Sequence, residues 1–215
     1  MRPYVKICCI SSKEESAMAI AFGASAIGLV ARMPSGPGPI SDELIRQIAS
    51  FVPPPVASFL LTCETRPEKI VQHHRQTLTS VIQLVDKPED GAYPILREAL
   101  PAVKLVQVIH ILDDSSVEEA LRVSGEVDAL LLDSGNPGLK IKELGGTGRV
   151  HDWRLSRRIC EKAACPVFLA GGLNPENVRR AIDEVQPFGI DVCSGVRTDG
   201  NLDMRKLERF MKEVG

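Results

Sequence analysis

The chain lacks the features that mark secreted, membrane-spanning and nucleic-acid-binding proteins. Its 26 Lys and Arg residues nearly balance 28 Asp and Glu residues, for a net charge of -2, so no broad positive field attracts a nucleic-acid backbone or an anionic membrane. No apolar run approaches the roughly 18 residues of a transmembrane helix. The first apolar run begins at Val5, too close to Met1 for a signal peptide. These absences predict a cytoplasmic protein with neither nucleic acid nor membrane as partner.

Cysteine and histidine patterns also exclude several classes of site. The six cysteines include no C-x-x-C pair, and they are too sparse for a disulfide scaffold. We therefore expect reduced thiols. His73 and His74 are adjacent in a segment of helical pattern, where neighbouring side chains point in different directions. We interpret the pair as a solvated surface and expect no metal site.

The sequence does contain eight short, continuously apolar runs separated by segments of helical periodicity. Such runs are typical of strands covered on both faces, and parallel strands are joined by helical crossovers. Helical segments with capping residues include 41–48, 174–182 and 203–214. The pattern predicts an α/β protein, a single-domain (β/α)8 TIM barrel over residues 1–215, with a doubly wound open sheet as the alternative. The runs are residues 5–10, 26–31, 55–61, 80–85, 103–109, 127–132, 166–170 and 189–193.

Glycine-rich turns follow the last two apolar runs, at Gly171-Gly172 and at Ser194-Gly195. Unpaired backbone N–H groups and the positive end of a helix dipole bind anions where a helix begins. Because barrel active sites collect at the carboxyl ends of the strands, the two turns predict one shared phosphate site. Arg197 lies just beyond the second turn and is a candidate ligand for the same phosphate, with surface solvation as the alternative.

Titratable side chains stand near the end of the first run, at Cys8, and directly after the sixth run, at Asp133. Taken alone, Cys8 is typical of a small buried hydrophobe and Asp133 of a turn cap. Lys6 shares a strand face with Cys8 because side chains alternate along a strand, and by the same alternation Cys9 is expected to pack outward. If Lys6 points into the barrel, Asp191 is its candidate partner; snorkelling from the barrel bottom is the alternative. Lys6 and Asp191 are also candidate substrate-binding residues.

Several motifs follow one another as they do in phosphoribosylanthranilate isomerases of tryptophan biosynthesis, and the chain resembles that family along its whole length. The matching stretches are Val5-Lys6-Ile7-Cys8, Leu130-Leu131-Leu132-Asp133-Ser134, Gly145-Gly146-Thr147-Gly148 with Asp152-Trp153, Leu169-Ala170-Gly171-Gly172-Leu173, Asn177-Val178 and Gly189-Ile190-Asp191-Val192-Cys193-Ser194-Gly195-Val196. The resemblance implies an Amadori rearrangement of an aldosamine into a ketosamine. Such an aldose–ketose isomerase is an intramolecular oxidoreductase that needs no cofactor.

The resemblance also implies roles for individual residues. Cys8 would be the general base that removes the proton from the sugar C2, and Asp133 the general acid that protonates the furanose ring oxygen. Gly146 and Gly148 would bring backbone amides of a long covering loop to the substrate phosphate; a surface excursion with no ligand role is the alternative for this loop. For these roles the thiol pKa must fall below ~8.5 and the carboxyl pKa must rise above ~3.9.

The chain departs from the family's pattern on the side that would hold the aromatic ring. The family's Ser-Pro-Arg turn is replaced by a proline-rich turn around Gly38, so the arginine expected for the anthranilate carboxylate is absent. Val85 stands where the family commonly has histidine, and Cys9 where it commonly has glycine. Arg32 is a candidate replacement for the missing arginine. His110, near the end of the fifth run, is a candidate pocket residue, although such a histidine is more often packed and hydrogen-bonded.

Three functions remain open on this basis. The first is an isomerase acting on N-(5-phosphoribosyl)anthranilate, and the second a paralogue acting on a different phosphosugar. The third is a non-catalytic protein that binds a phosphate ligand. The expected partner is a small-molecule phosphosugar, with a homodimer left open.

Overall fold

A computed structural model describes residues 2–145 and 148–215. In this part of the chain, eight parallel strands pair in chain order, and the eighth pairs with the first, so that the sheet closes into a barrel. The predicted (β/α)8 barrel is confirmed, and the open-sheet alternative is wrong. The strands are β1 Tyr4–Ile7, β2 Ala26–Val30, β3 Ala57–Thr62, β4 Val81–Leu84, β5 Lys104–His110, β6 Ala129–Asp133, β7 Val167–Leu169 and β8 Gly189–Val192.

Helices alternate with these strands and pack outside the barrel. They are α1 Lys13–Ala21, α2 Asp42–Ala49, α3 Pro67–Thr77, α4 Ala92–Ala99, α5 Asp114–Val123, α6 Trp153–Lys162, α7 Val178–Val185 and α8 Met204–Val214. After β8 come a short 3-10 turn, Ser194–Val196, and a two-stranded ribbon, β9 Arg197–Thr198 and β10 Asn201–Leu202. Among the described residues, no helix is long and apolar enough to cross a membrane.

Local side-chain chemistry sets where the elements begin and end. The Ser41 hydroxyl accepts a hydrogen bond from the backbone of α2, and the Asp203 carboxylate caps α8 in the same way. The predicted helix over 174–182 is wrong at its start, because the Asn174 side chain accepts from the backbone N–H groups of Glu176 and Asn177. An Asx turn therefore occupies the first four of these residues, and α7 begins only after it.

Apolar side chains fill two layers, one between strands and helices and one inside the barrel. Phe59 and Phe168 meet edge to face inside the barrel, with ring centroids 6.2 Å apart. Phe168 pairs in register with Gly189, two residues before Asp191 on β8. The aromatic pair thus lies toward the amino ends of the strands, and the polar site lies above it.

Candidate active site

A cavity of about 710 Å³, measured with its open mouth, is lined by residues from the carboxyl ends of the strands and from the loops that follow them. Cys8, just after β1, and Asp133, the last residue of β6, both line this cavity. Their exposed fractions are 5% and 7%. The thiol and the carboxyl, which are distant in sequence, therefore open onto one space.

Gly28 on β2 leaves the room in which Cys8 and Lys6 point into the barrel. A Cβ at this glycine would lie 2.8 Å from Cys8 Sγ and 3.1 Å from Lys6 Nζ. Lys6 is fully buried, and its Nζ lies 2.9 Å from Asp191 Oδ1. The predicted partner of Lys6 is confirmed, and the alternative of a snorkelling lysine is wrong. Burial lowers the pKa of Lys6. The Asp191 carboxylate and the nearby Cys8 and Cys9 raise this pKa by more than burial lowers it, so the ammonium stays charged.

Replacing Asp191 by alanine is expected to lower the free energy of unfolding by about 3–5 kcal/mol, because the buried Lys6 ammonium loses its partner. Urea unfolding followed by circular dichroism measures the change. The double variant Lys6→Met, Asp191→Leu removes both charges and should recover most of the loss. Equal stability of Asp191→Ala and the unaltered protein would contradict a structural role for this ion pair.

The environments of Cys8 and Asp133 shift their pKa values in opposite directions. A hydrogen bond with the Cys9 side chain lowers the pKa of Cys8, and together with the Lys6 charge it outweighs burial, which raises it. Burial raises the pKa of Asp133, although the Ser134 backbone N–H donates to its Oδ1 at 2.7 Å and opposes the rise. A lowered thiol pKa suits a base, and a raised carboxyl pKa suits an acid.

Cys9 does not pack outward, and the expectation from strand alternation is wrong. Its φ of 62° lies in the left-handed region, where the extended backbone of β1 cannot continue, so its side chain lines the cavity. Its Sγ lies 2.7 Å from Cys193 Sγ and 3.6 Å from the Pro37 carbonyl oxygen. Glycine adopts this backbone conformation without penalty, which gives a physical reason for glycine being common here in the family.

The loop after β6 covers the Asp133 carboxyl. A Cβ at Gly145 would lie 2.6 Å from Asp133 Oδ2, so only glycine allows the backbone this close. The Ser35 hydroxyl, from the loop after β2, donates to the Lys142 carbonyl oxygen at 2.6 Å and ties the two loops together over the cavity. Gly146, predicted as a phosphate ligand in this loop, lies outside the described residues.

Glycine turns from three loops converge at one end of the cavity. The predicted phosphate ligands that line it are Gly148, Gly171, Gly172 and Ser194. Gly195 is not among the lining residues; a Cβ there would lie 2.0 Å from the Leu173 carbonyl oxygen. Gly195 therefore lets the turn after β8 pack directly on the turn after β7.

The turn after β7 presents unpaired donors. In residues 2–145 and 148–215, the backbone N–H groups of Gly171, Gly172 and Leu173 donate to no protein acceptor. The Asn177 side-chain amide donates to the Gly172 carbonyl oxygen at 2.9 Å and fixes the turn. A fixed turn with free N–H groups is suited to binding a phosphate.

Arg197 is not placed as a phosphate ligand, and it is not a solvated surface residue. It is 8% exposed, and its guanidinium donates to the carbonyl oxygens of Cys8 at 3.0 Å and Cys9 at 2.6 Å. It also pairs with Glu15 on α1 at 2.9 Å. Arg197 therefore holds in place the backbone that carries Cys8.

Arg32 and His110 are placed outside the cavity as well. Arg32 is exposed and lines a separate open cavity with Asp42 and His73, so it does not replace the missing arginine in this structure. His110 Nε2 donates to the Val85 carbonyl oxygen at 3.1 Å, which makes His110 the packed, hydrogen-bonded histidine of the alternative interpretation.

The His73-His74 pair is not a solvated surface, contrary to the interpretation from sequence. His74 is buried and donates to the Thr79 carbonyl oxygen at 2.8 Å. His73 bridges the Thr62 hydroxyl and the Asp42 carboxylate. Within the described part of the chain, no group of three or more His, Cys, Asp or Glu side chains is arranged to hold a metal ion.

Gln83 on β4 lines the cavity and is a functional residue that was not among the candidates from sequence. It is 3% exposed, and its Oε1 has no hydrogen-bond partner among the described residues. A buried amide oxygen without a donor is costly unless a ligand supplies one. Two signals for it were in the sequence: Gln83 is an amide among the apolar residues 81–85, and it matches the first residue of the Gln-Leu-His-Gly stretch that the family commonly has there.

The other side of the cavity is mostly apolar. Met33, Pro37 and Val85 line it, and no lysine or arginine occurs among the described lining residues. This side of the cavity is formed by the part of the sequence that departs from the family's pattern. The arginine that the family has there for the anthranilate carboxylate is therefore not replaced by a lysine or arginine from another described element.

Comparison with known proteins agrees with this geometry. A family model described as N-(5'phosphoribosyl)anthranilate (PRA) isomerase matches residues 5–213. The N-(5'-phosphoribosyl)anthranilate isomerase of Methanocella arvoryzae is 33% identical over 211 residues, which cover 98% of this chain and 97% of that protein.

Solved structures match over nearly the whole chain. A phosphoribosyl anthranilate isomerase in complex with reduced 1-(o-carboxyphenylamino)-1-deoxyribulose 5-phosphate has a TM-score of 0.79 and 29% identity, covering 99% of this chain and 98% of its own. A structure of monomers generated from the dimeric Thermotoga maritima enzyme has a TM-score of 0.80 and 28% identity, with the same coverage.

Proposed function

The chain belongs to the N-(5'-phosphoribosyl)anthranilate isomerase family, and we propose that its cavity rearranges N-(5'-phosphoribosyl)anthranilate into 1-(o-carboxyphenylamino)-1-deoxyribulose 5-phosphate. This isomerase reaction of tryptophan biosynthesis is an intramolecular oxidoreduction, because the sugar C2 is oxidised while C1 is reduced. The observation that carries the proposal is that Cys8, Asp133 and the glycine turn with free N–H groups meet in one cavity.

In the first step, Asp133 donates its proton to the furanose ring oxygen. The bond between C1 and that oxygen breaks, and the nitrogen lone pair forms a C1–N double bond, which leaves an iminium ion. The carboxyl can donate only if it is protonated in the free enzyme, and burial, which raises its pKa, favours that state.

In the second step, the Cys8 thiolate removes the proton from C2. The electrons of the C–H bond form a C1–C2 double bond, and the iminium π electrons return to nitrogen. A proton added to C1 and one lost from the C2 hydroxyl complete the ketone. The positive charge of Lys6 stabilises the thiolate that starts this step.

The substrate phosphate is proposed to bind where the three glycine turns converge. Support comes from the unpaired N–H groups of the turn after β7 and from the cavity-lining positions of Gly148 and Ser194. Gly146 keeps its proposed role by resemblance alone. The Gln83 amide oxygen, buried without a donor, is proposed to accept a hydrogen bond from a sugar hydroxyl.

Replacing Gly195 by alanine is expected to raise KM by about tenfold or more, because the new methyl group pushes the phosphate turns apart. Steady-state kinetics with circular dichroism as a check on folding measures the effect. Gly125→Ala is the matched control: nothing lies within 4 Å of a Cβ at that position, so KM should stay at the unaltered value. Equal KM values in the two variants would remove the support for this phosphate site.

Replacing Cys9 by glycine is expected to move one limb of the pH profile of kcat/KM to higher pH. The variant removes the hydrogen bond that lowers the pKa of Cys8, so the base takes up its proton at a higher pH than before. The other limb, which reports the Asp133 carboxyl, should not move. A profile in which neither limb shifts would contradict Cys8 as the base.

Two experiments test the function. The purified protein should abolish the fluorescence of N-(5'-phosphoribosyl)anthranilate as product forms, and no turnover would contradict the proposal and favour a phosphate-binding protein without activity.

A paralogue acting on a phosphosugar with another amine substituent is favoured by the lack of Lys and Arg in the described cavity lining. Faster turnover of the aniline analogue than of the anthranilate substrate would support that alternative.

A homodimer is proposed as the assembly because one solved relative is described as dimeric. Light scattering should then give about twice the chain mass of 23.4 kDa. A mass equal to one chain would contradict the dimer.

A further inference from the structure

Two cysteine side chains that transfer no proton in the proposed reaction face each other at the cavity. Cys9 follows β1 and Cys193 follows β8, and these two strands are neighbours in the barrel. Their Sγ atoms lie 2.7 Å apart. The backbone around them is held in place, because the Arg197 guanidinium binds the Cys9 carbonyl oxygen and the Cys8 N–H donates to the Val192 carbonyl oxygen.

The sulfur contact singles out Cys9 and Cys193. Cys8 and Cys193 each directly follow the last register pair of the two strands, Ile7 and Val192, but the 2.7 Å contact joins Cys193 Sγ to Cys9 Sγ. A bond between Cys8 and Cys9 is disfavoured, because consecutive residues have Cα atoms ~3.8 Å apart, below the ~4.4–6.8 Å that disulfides usually span. Cys63 lines the separate cavity of Arg32 and is not placed near the pair.

We propose that Cys9 and Cys193 are a modification site: they form a reversible disulfide when the protein meets a peroxide, and this bond disables the cavity. Cys193 is a half-buried residue, whereas Cys9 is buried, with 6% of its surface exposed. Cys193 therefore reacts first, and Cys9 completes the bond. No other cysteine is required.

The oxidation of Cys193 and Cys9 by hydrogen peroxide takes two steps. The Cys193 thiolate attacks one oxygen of hydrogen peroxide, the O–O bond breaks, and the hydroxide that leaves takes up a proton to become water. The resulting sulfenic acid is attacked by the Cys9 sulfur, the S–O bond breaks, and a second water leaves. The two sulfurs together lose two electrons, which reduce the peroxide. A dithiol such as dithiothreitol reverses the change.

The bond acts on both halves of the proposed active site. Cys9 directly follows Cys8, and Cys193 directly precedes Ser194 of the phosphate turn. The hydrogen bond with Cys9 that lowers the pKa of Cys8 depends on the Cys9 thiol, which a disulfide no longer supplies. Oxidation should therefore lower kcat/KM at least about tenfold, since small displacements of catalytic groups have large effects on rate. This loss of turnover rests on the proposed function, whereas the bond itself does not.

The test treats the reduced full chain with hydrogen peroxide and counts free thiols after denaturation. Two of the six thiols should be lost, and a tryptic digest should contain the peptide of residues 7–13 linked to that of residues 181–197. Because the first peptide carries both Cys8 and Cys9, the Cys8→Ser variant must give the same link. Dithiothreitol should restore the thiols and, in the unaltered protein, the turnover.

Matched variants separate the pair from general oxidation. Cys193→Ser and Cys9→Gly should not give the linked peptide. After peroxide treatment, each variant should keep a larger fraction of the turnover rate it had before treatment than the unaltered protein keeps. The glycine variant suits the left-handed backbone at this position and should fold. Cys63→Ser should behave like the unaltered protein.

Three results would overturn the proposal: six free thiols after peroxide treatment, a link that disappears in Cys8→Ser, or inactivation that dithiothreitol does not reverse. If the link forms and turnover is unchanged, the claim that it disables the cavity is wrong. If the reduced protein has no turnover, the proposed function fails, while the link detected by mass still supports the modification site.

Discussion

Replacing Cys8 by serine is expected to lower kcat ~10²- to 10⁴-fold, the usual contribution of a general base. The serine hydroxyl has nearly the same size, so the tight fit against Gly28 is kept, but its proton is held far too strongly for it to act as a base near neutral pH. KM should change little, because the phosphate turns that anchor the substrate are untouched. Loss of substrate fluorescence under steady-state conditions measures both constants.

Cys63→Ser is the control for this prediction. It makes the same chemical change in the separate cavity that Arg32 lines, so both constants should equal those of the unaltered protein. If Cys8→Ser kept the full kcat, another group would be the base, and Asp191, which also lines the cavity, would be the first to examine.

Replacing Asp133 by asparagine is expected to lower kcat by a similar ~10²- to 10⁴-fold. The amide has the shape of the carboxyl, so the close approach of Gly145 is preserved, but it has no proton to give the ring oxygen. The matched control is Asp199→Asn, an exposed position with a φ of 49° that asparagine also tolerates. Full activity of Asp133→Asn would assign ring opening to another acid or to water.

Cys8 and Asp133 could be predicted as site residues from the sequence because of their positions along the chain. The eight apolar runs are short and continuous, so the barrel and its strand ends follow from local pattern. Cys8 and Asp133 stand at two of those ends, and a closed barrel brings all strand ends together. The resemblance to a family then assigned roles that the pattern alone left open.

Other placements depended on contacts that no local pattern contains. Alternation along a strand sends Cys9 outward, but the rule holds only while the chain is extended, and Cys9 has a left-handed backbone. Arg197 follows a glycine turn and was expected at the phosphate; its partner Glu15 lies on α1, far away in sequence. Gln83 lies among apolar residues of its run, and only the closed barrel shows that its amide faces the cavity.

The deuterium isotope effect on kcat, measured with substrate labelled at the sugar C2, tests most directly whether Cys8 and Asp133 perform separate proton transfers. With serine at position 8, removal of the C2 hydrogen limits the rate, so a large primary isotope effect is predicted. With asparagine at position 133, ring opening limits the rate, and the effect should fall to near unity. A large effect in Asp133→Asn together with none in Cys8→Ser would contradict the assignment of base and acid.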